Sequence, residues 1–138
     1  MRLNAEFDMI QRGSVMIDRD AIAKIVEQYD RMKLRIGMTA SHSALDICDG
    51  AIEEGFPTVA YCKEGRHKTY ANYFKTHRTN SGRVKRGMVD KTIIMPSFND
   101  VMNESMQIEM RKRNVVYIPN RSFTSYSSID DVENKFHV

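Results

Sequence analysis

The sequence lacks most of the features that identify a small protein at sight. Its 138 residues hold only two cysteines, Cys48 and Cys62, too few for the disulfide framework of a small secreted domain. Both read as small buried hydrophobes of a reducing compartment. No apolar run approaches the roughly 20 residues of a membrane span, and Met1 to Arg19 has no signal-peptide hydrophobic stretch. There is no Walker loop, no hydrolase elbow and no zinc-ligand spacing, and Gly37 followed by Thr39 is not a dinucleotide fingerprint. These absences argue against a disulfide scaffold, a membrane protein and the common motif-bearing enzymes. The expectation is one soluble, cytoplasmic domain, long enough to bury about two thirds of its unfolded surface.

What is present is ordinary in amount and uneven in place. Apolar residues make up 41% and charged residues 28%, with a net charge of +3. Lys63 to Lys91 carries nine Lys and Arg against Glu64 and Asp90, a local +7 that leaves the remainder at −4. Such a basic island attracts anions, whether phosphorylated metabolites or nucleic acid, unless it is simply a solvated loop. Tyr70, Tyr73 and Phe74 cluster at its front instead of interleaving with its basic tail, which speaks against nucleic acid.

Along the chain, residues 1–17 show no period and read as an N-terminal arm. Asp18 caps an expected helix from about 19 to 30, whose Ile22, Ile25, Val26 and Tyr29 follow one buried face. A strand is expected from Leu34 to Met38 and a helix from about Ser43 to Glu54, stopped by Gly55. Ser43 and Asp46 suggest a capping box. Asp46, Asp49 and Glu53 read as a solvated face, not as metal ligands. Pro57 to Cys62 reads as a second strand, 63–91 as a basic loop with a turn at Asn80–Gly82, and Thr92 to Met95 as a third strand. Asn99 or Asp100 would cap a helix to about Asn114, with Met102, Met106 and Met110 as its core stripe. Val115 to Ile118 is the fourth strand, followed by the loop N-R-S-F-T-S-Y and a short acidic helix or turn at 130–134.

Strands alternating with helices give an α/β fold with a mostly parallel sheet of about four strands, flanked by helices. Ligands of such sheets bind beyond the C-terminal strand ends. Three donor-rich segments fall there: Thr39–Ser43, Lys63–Arg66 and Asn120–Ser122. Ser41, His42 and Ser43 sit at a helix start, where unpaired N–H groups and the dipole favour an anion. Arg66 and Arg121 offer guanidinium forks for phosphate. His42 has no acid–base partner in sequence, so the residues support binding of a small phosphorylated molecule and no visible reaction. A metal site is not expected.

S-H-S-A-L-D-I-C-D-G-A, E-G-F, K-E-G-R, F-N-D-V, I-P-N-R-S-F-T-S-Y and D-D-V-E-N-K-F occur in the order and spacing of a known family. From about Asp18 to Val138, the basic loop excepted, the chain resembles the N-terminal domain of the archaeal formate-dependent formylaminoimidazolecarboxamide ribonucleotide (FAICAR) synthetase. The resemblance implies a Rossmann-like, pre-ATP-grasp domain that helps hold aminoimidazolecarboxamide ribonucleotide (AICAR). The full-length family enzyme joins formate to AICAR in purine (IMP) biosynthesis, using ATP and Mg or Mn, and tends to form homo-oligomers. Substrate contacts carry over to His42 and Ser122, with Ser41, Ser43, Arg66 and Arg121 beside them. Two departures stand out. Pro119-Asn120-Arg121-Ser122-Phe123 replaces P-H-G-S-F, with Arg where Gly would allow an unusual backbone. The chain also stops at Val138, where the family continues into its ATP-grasp body. The expectation is a substrate-binding domain, inactive alone and binding neither ATP nor metal by itself. A stand-alone phosphorylated-nucleotide-binding or regulatory module is the alternative, and nucleic-acid binding through 63–91 the weaker one.

Overall fold

The structure, a computed structural model, describes residues 18–138; the expected arm over 1–17 lies outside the described residues. Helix α1 (Arg19–Glu27) starts where the Asp18 carboxylate accepts from the Asp20 N–H at 3.2 Å. A 3-10 turn (Arg31–Lys33) leads into strand β1 (Arg35–Thr39), and α2 (Ala44–Glu53) follows. Next come β2 (Thr58–Lys63), a π-helical turn (Thr69–Tyr73) and a small hairpin of β3 (His77–Arg78) and β4 (Val84–Arg86). Strand β5 (Lys91–Met95), a 3-10 segment (Phe98–Met102), α3 (Glu104–Lys112) and β6 (Val115–Tyr117) complete the core. Helices α4 (Arg121–Tyr126) and α5 (Ile129–Lys135) close the described chain. No helix among the described residues is long and apolar enough to cross a membrane.

Four strands form one parallel sheet in the order β5-β2-β1-β6. The α/β class is therefore as expected. Side chains alternate across each strand, so β2 sends Ala60 and Cys62 to one face and Val59 and Tyr61 to the other. The first face is covered by Ala44 and Cys48 of α2 and by Tyr70 of the π-helical turn. The second is covered by Val101, Met110 and Phe123, with Met102, Met106, Val132 and Phe136 packed around them. The methionine stripe is thus core, as expected. Both cysteines are fully buried and free, and burial pushes each thiol up to about 12.

Several local expectations are overturned. Ile22 (44% exposed) and Val26 (55%) of α1 are not buried among the described residues. The segment is held to the body at its C-terminal end, where the Tyr29 hydroxyl donates to the Val115 carbonyl at 2.9 Å. The Ser43–Asp46 capping box does not form: Ser43 lies at φ 68 and makes no side-chain cap bond. The helix expected from residue 99 or 100 to 114 is divided, because Asn103 is extended and separates the 3-10 segment from α3. The real capping box is one turn earlier, Ser97 with Asp100. The expected loop at 120–126 is α4, capped by Asn120.

The basic loop is ordered by one carboxylate. Asp90 accepts from both Nε and Nη2 of Arg78 at 2.8 Å, from the Thr76 hydroxyl at 2.7 Å and from the Thr58 N–H at 2.9 Å. Burial would raise the Asp90 carboxyl, but these donors outweigh it and hold the group below its ordinary range. Thr58 opens β2 and Asp90 immediately precedes β5. The hairpin is therefore anchored at the N-terminal end of the parallel strands.

Candidate functional site

At the other end of the sheet, β1 and β6 are neighbours although the chain runs from β1 to β2 and β5 on one side before it crosses back to β6 on the other. That reversal of strand order opens a crevice beyond their C-terminal ends. One wall is the turn after β1. There the Ala40 N–H donates to the Tyr61 carbonyl at 2.9 Å, the Ser41 N–H to the Thr39 carbonyl at 2.9 Å and the Ala44 N–H to the Ser41 carbonyl at 3.0 Å. The left-handed Ser43 lets the chain turn from strand to helix within these few residues. Its hydroxyl lies 2.8 Å from Nδ1 of His42, which leaves Nε2 as the ring nitrogen without a hydrogen-bond partner among the described residues.

The second wall is the start of α4, and Asn120 joins the two. Its Nδ2 donates to the Thr39 carbonyl at 2.9 Å and the His42 carbonyl at 3.2 Å, while Oδ1 accepts from the Phe123 N–H at 3.0 Å. One side chain thus caps α4 and fixes the β1 turn. Beneath it Thr39 and Tyr117 share a hydroxyl–hydroxyl hydrogen bond of 2.6 Å, and burial pushes the Tyr117 phenol well above its ordinary value. From the opposite side the Tyr70 hydroxyl donates to the Ser41 carbonyl at 3.3 Å. The turn is therefore held by β1, β6 and the π-helical turn together.

The enclosed space is a shallow cavity of about 250 Å³ lined by Ser41, His42, Arg121, Ser122, Ser125 and Tyr126. Ser122 is buried at 5% exposure, whereas Arg121 and His42 face solvent. A guanidinium, an imidazole and several hydroxyls converge with no carboxylate in the lining, which suits an anion. No carboxylate bonds to His42 among the described residues, so the geometry is that of a holder and not of an acid–base pair.

Of the six residues expected from sequence, Ser41, His42, Arg121 and Ser122 share the cavity, and Ser43 reaches it through His42. Arg66 does not. Its loop is tied to the far strand by the Glu64 N–H donating to the Met95 carbonyl at 2.8 Å, and Arg66 lies exposed there. Arg121 in place of Gly costs no strain, because it opens α4 and is not among the residues at positive φ. Tyr70, Ser125 and Tyr126 are additions, and Thr39 and Asn120, expected only as members of donor-rich segments, gain defined partners. Reading 121–126 as a helix would have placed Ser125 and Tyr126 three and four residues from Ser122, on its side of the helix. Among the described residues no three His, Cys, Asp or Glu side chains are placed to share a metal ion.

A family model described as a protein of unknown function (DUF1246) matches residues 36–138. Among curated relatives, the "5-formaminoimidazole-4-carboxamide-1-(beta)-D-ribofuranosyl 5'-monophosphate synthetase" of Methanothermobacter thermautotrophicus is 32% identical over 122 residues, covering 88% of this chain and 30% of its own length. The protein of the same name from Archaeoglobus fulgidus is 37% identical over 108 residues, covering 78% of this chain and 26% of its own. That of Methanopyrus kandleri is 34% identical over 123 residues, with coverage of 89% and 31%. The chain spans about three tenths of the length of the curated relatives it matches.

Proposed function

This chain belongs to the family described as a protein of unknown function, DUF1246, and from its similarity to the named synthetases we propose that it is the AICAR-holding, N-terminal part of an ATP- and formate-dependent ligase that makes FAICAR in purine biosynthesis. The observation that carries the reading is the meeting of Ser41 and His42 with Arg121 and Ser122 in one carboxylate-free cavity where the strand order reverses. The names of the relatives, which are synthetases of a ribofuranosyl 5'-monophosphate, support a nucleotide monophosphate as the occupant. In this reading Arg121 and the Ser41 and Ser122 hydroxyls take the phosphate, and His42 positions the ligand through Nε2. The 138 residues hold the substrate. The ATP- and metal-dependent step belongs to residues beyond those described here, in a ligase of homo-oligomeric form.

Thermal unfolding with AICAR, ribose 5-phosphate and ATP tests this. AICAR at about a hundred times its Kd stabilises by about 2.7 kcal/mol, a midpoint shift of several degrees. Ribose 5-phosphate gives a smaller shift, and His42→Ala removes the AICAR shift while leaving any shift with ATP in place. Shifts with AICAR and ATP that are equal and both lost in His42→Ala would argue for a generic phosphate site or a regulatory module. The chain incubated with AICAR, formate, ATP and magnesium gives no product, and turnover would contradict the division of labour.

A further inference from the structure

The N-terminal end of the sheet, remote from His42 and Ser122, carries a second and larger cavity of about 590 Å³. Arg31, Lys33 and Arg35 reach it from the segment entering β1, and Lys112 and Arg113 from the end of α3, with Phe56 among the apolar residues beside them. No Asp or Glu lines it. Its two ion pairs are Lys33–Asp30 at 3.8 Å and Lys112–Glu109 at 3.7 Å, between exposed side chains that neutralise little. Arg31, Arg35 and Arg113 have no ion pair among the described residues.

Cations at a helix C-terminus complement its dipole, which accounts for Lys112 and Arg113. It does not account for Arg31 and Lys33, in a single 3-10 turn, or for Arg35, the first residue of β1. Their segment is also fixed to the α3–β6 turn. The Asp30 N–H donates to Asn114 Oδ1 at 2.8 Å, the Arg35 N–H to the Asn114 carbonyl at 2.9 Å, and Asn114 adopts φ 57 to make the turn. With the Tyr29 hydroxyl on the Val115 carbonyl, three bonds hold like charges together around one space. Three unpaired guanidinium groups around one space, with only two exposed ion pairs beside them, give a local positive potential that attracts an anion.

We propose that this cavity binds a compact polyphosphate, a di- or triphosphate chain either free or as the tail of a nucleotide. Paired guanidinium forks match closely spaced phosphate oxygens, the volume suits a small molecule, and Phe56 offers an apolar surface for a base. A smaller cavity of about 270 Å³ shares Arg35 and Pro57 and continues to Lys91 and to Asp90, whose carboxylate is paired with Arg78. The assignment is independent of the reading of the His42–Ser122 cavity.

Calorimetric titration of the 138-residue protein with inorganic triphosphate, and separately with GTP, tests it. One saturable site per chain is expected. Arg35→Ala/Arg113→Ala weakens it by about tenfold or more, and His42→Ala leaves it unchanged. Should the half-buried pair impair folding, the exposed pair Arg31→Ala/Lys33→Ala gives the same readout with a loss of several-fold. Tighter binding of GTP than of triphosphate identifies a nucleotide tail, and equal binding identifies the phosphate chain alone; both support the site. Three results would overturn it: no saturable binding, no change in either basic variant, or loss in His42→Ala instead.

Discussion

Asn120 is the residue on which the proposed site depends most. Its one amide makes three hydrogen bonds, to Thr39, His42 and Phe123, and no other described side chain links the two walls so directly. Asn120→Ala removes a helix cap and leaves the His42 carbonyl without its donor, which destabilises by about 1–3 kcal/mol, read as a lower midpoint in urea. Asn120→Asp separates the two roles. Its carboxylate still accepts from the Phe123 N–H but cannot donate to the Thr39 and His42 carbonyls, so it loses AICAR affinity as the alanine variant does. Wild-type affinity in Asn120→Asp would show that the β1 turn needs no tether. Gly37 is a second sensitive point, since a Cβ there would lie 2.5 Å from Val115 Cγ1 and 3.2 Å from the Tyr61 ring. Gly37→Ala therefore costs about 1–3 kcal/mol through overpacking, measurable in the same titration. His42 and Ser122 were legible in the sequence because each sits in a motif with a fixed place in the fold. Asn120 was not, because its importance lies in bonds to residues about 80 positions away.

Among the elements, the crossover from β2 to β5 departs furthest from a plain βαβ unit. A π-helical turn and a two-stranded hairpin replace the usual helix, and the Asp90 clamp holds them. Because the folded Asp90 carboxyl lies below its ordinary value, it contributes stability above the unfolded carboxylate pKa of about 3.9, and that contribution is lost as pH falls through the lower folded value. Asp90→Asn is accordingly less stable than wild type at pH 7, and the gap narrows in urea titrations repeated down to about pH 3. A constant gap would assign the loss to packing. Strands β1, β2 and β5 were readable from short β-branched or apolar runs, and α2 from its Leu45, Cys48 and Ala51 face. The interruption at Asn103 was not, since Met102 and Met106 keep helical spacing across it while the backbone is extended between them. Helix α4 was hidden because R-S-F-T-S-Y has the composition of a loop, and its stability comes from the Asn120 cap and burial of Ser122 and Phe123.

At the scale of the whole molecule, the two ends of the sheet carry different chemistry. The C-terminal edge gathers hydroxyls, His42 and Arg121 around a small cavity. The N-terminal edge gathers the groove cations, and the basic hairpin is anchored there through Thr58 and Asp90. The hairpin of the +7 island is therefore held at the end away from the His42 cavity, while the front of the island touches the cavity turn through Tyr70. All three donor-rich loops follow C-terminal strand ends, but only those after β1 and β6 share the cavity, because β2 lies one strand away from the point where the order reverses. The most direct measurement of the central claim is calorimetric titration with AICAR of the wild-type chain and of His42→Ala, Ser122→Ala and Arg66→Ala. The account predicts one site per chain, weakened by about tenfold or more in the first two variants and unchanged in Arg66→Ala. Equal affinity across all four proteins, or a loss confined to Arg66→Ala, would contradict it.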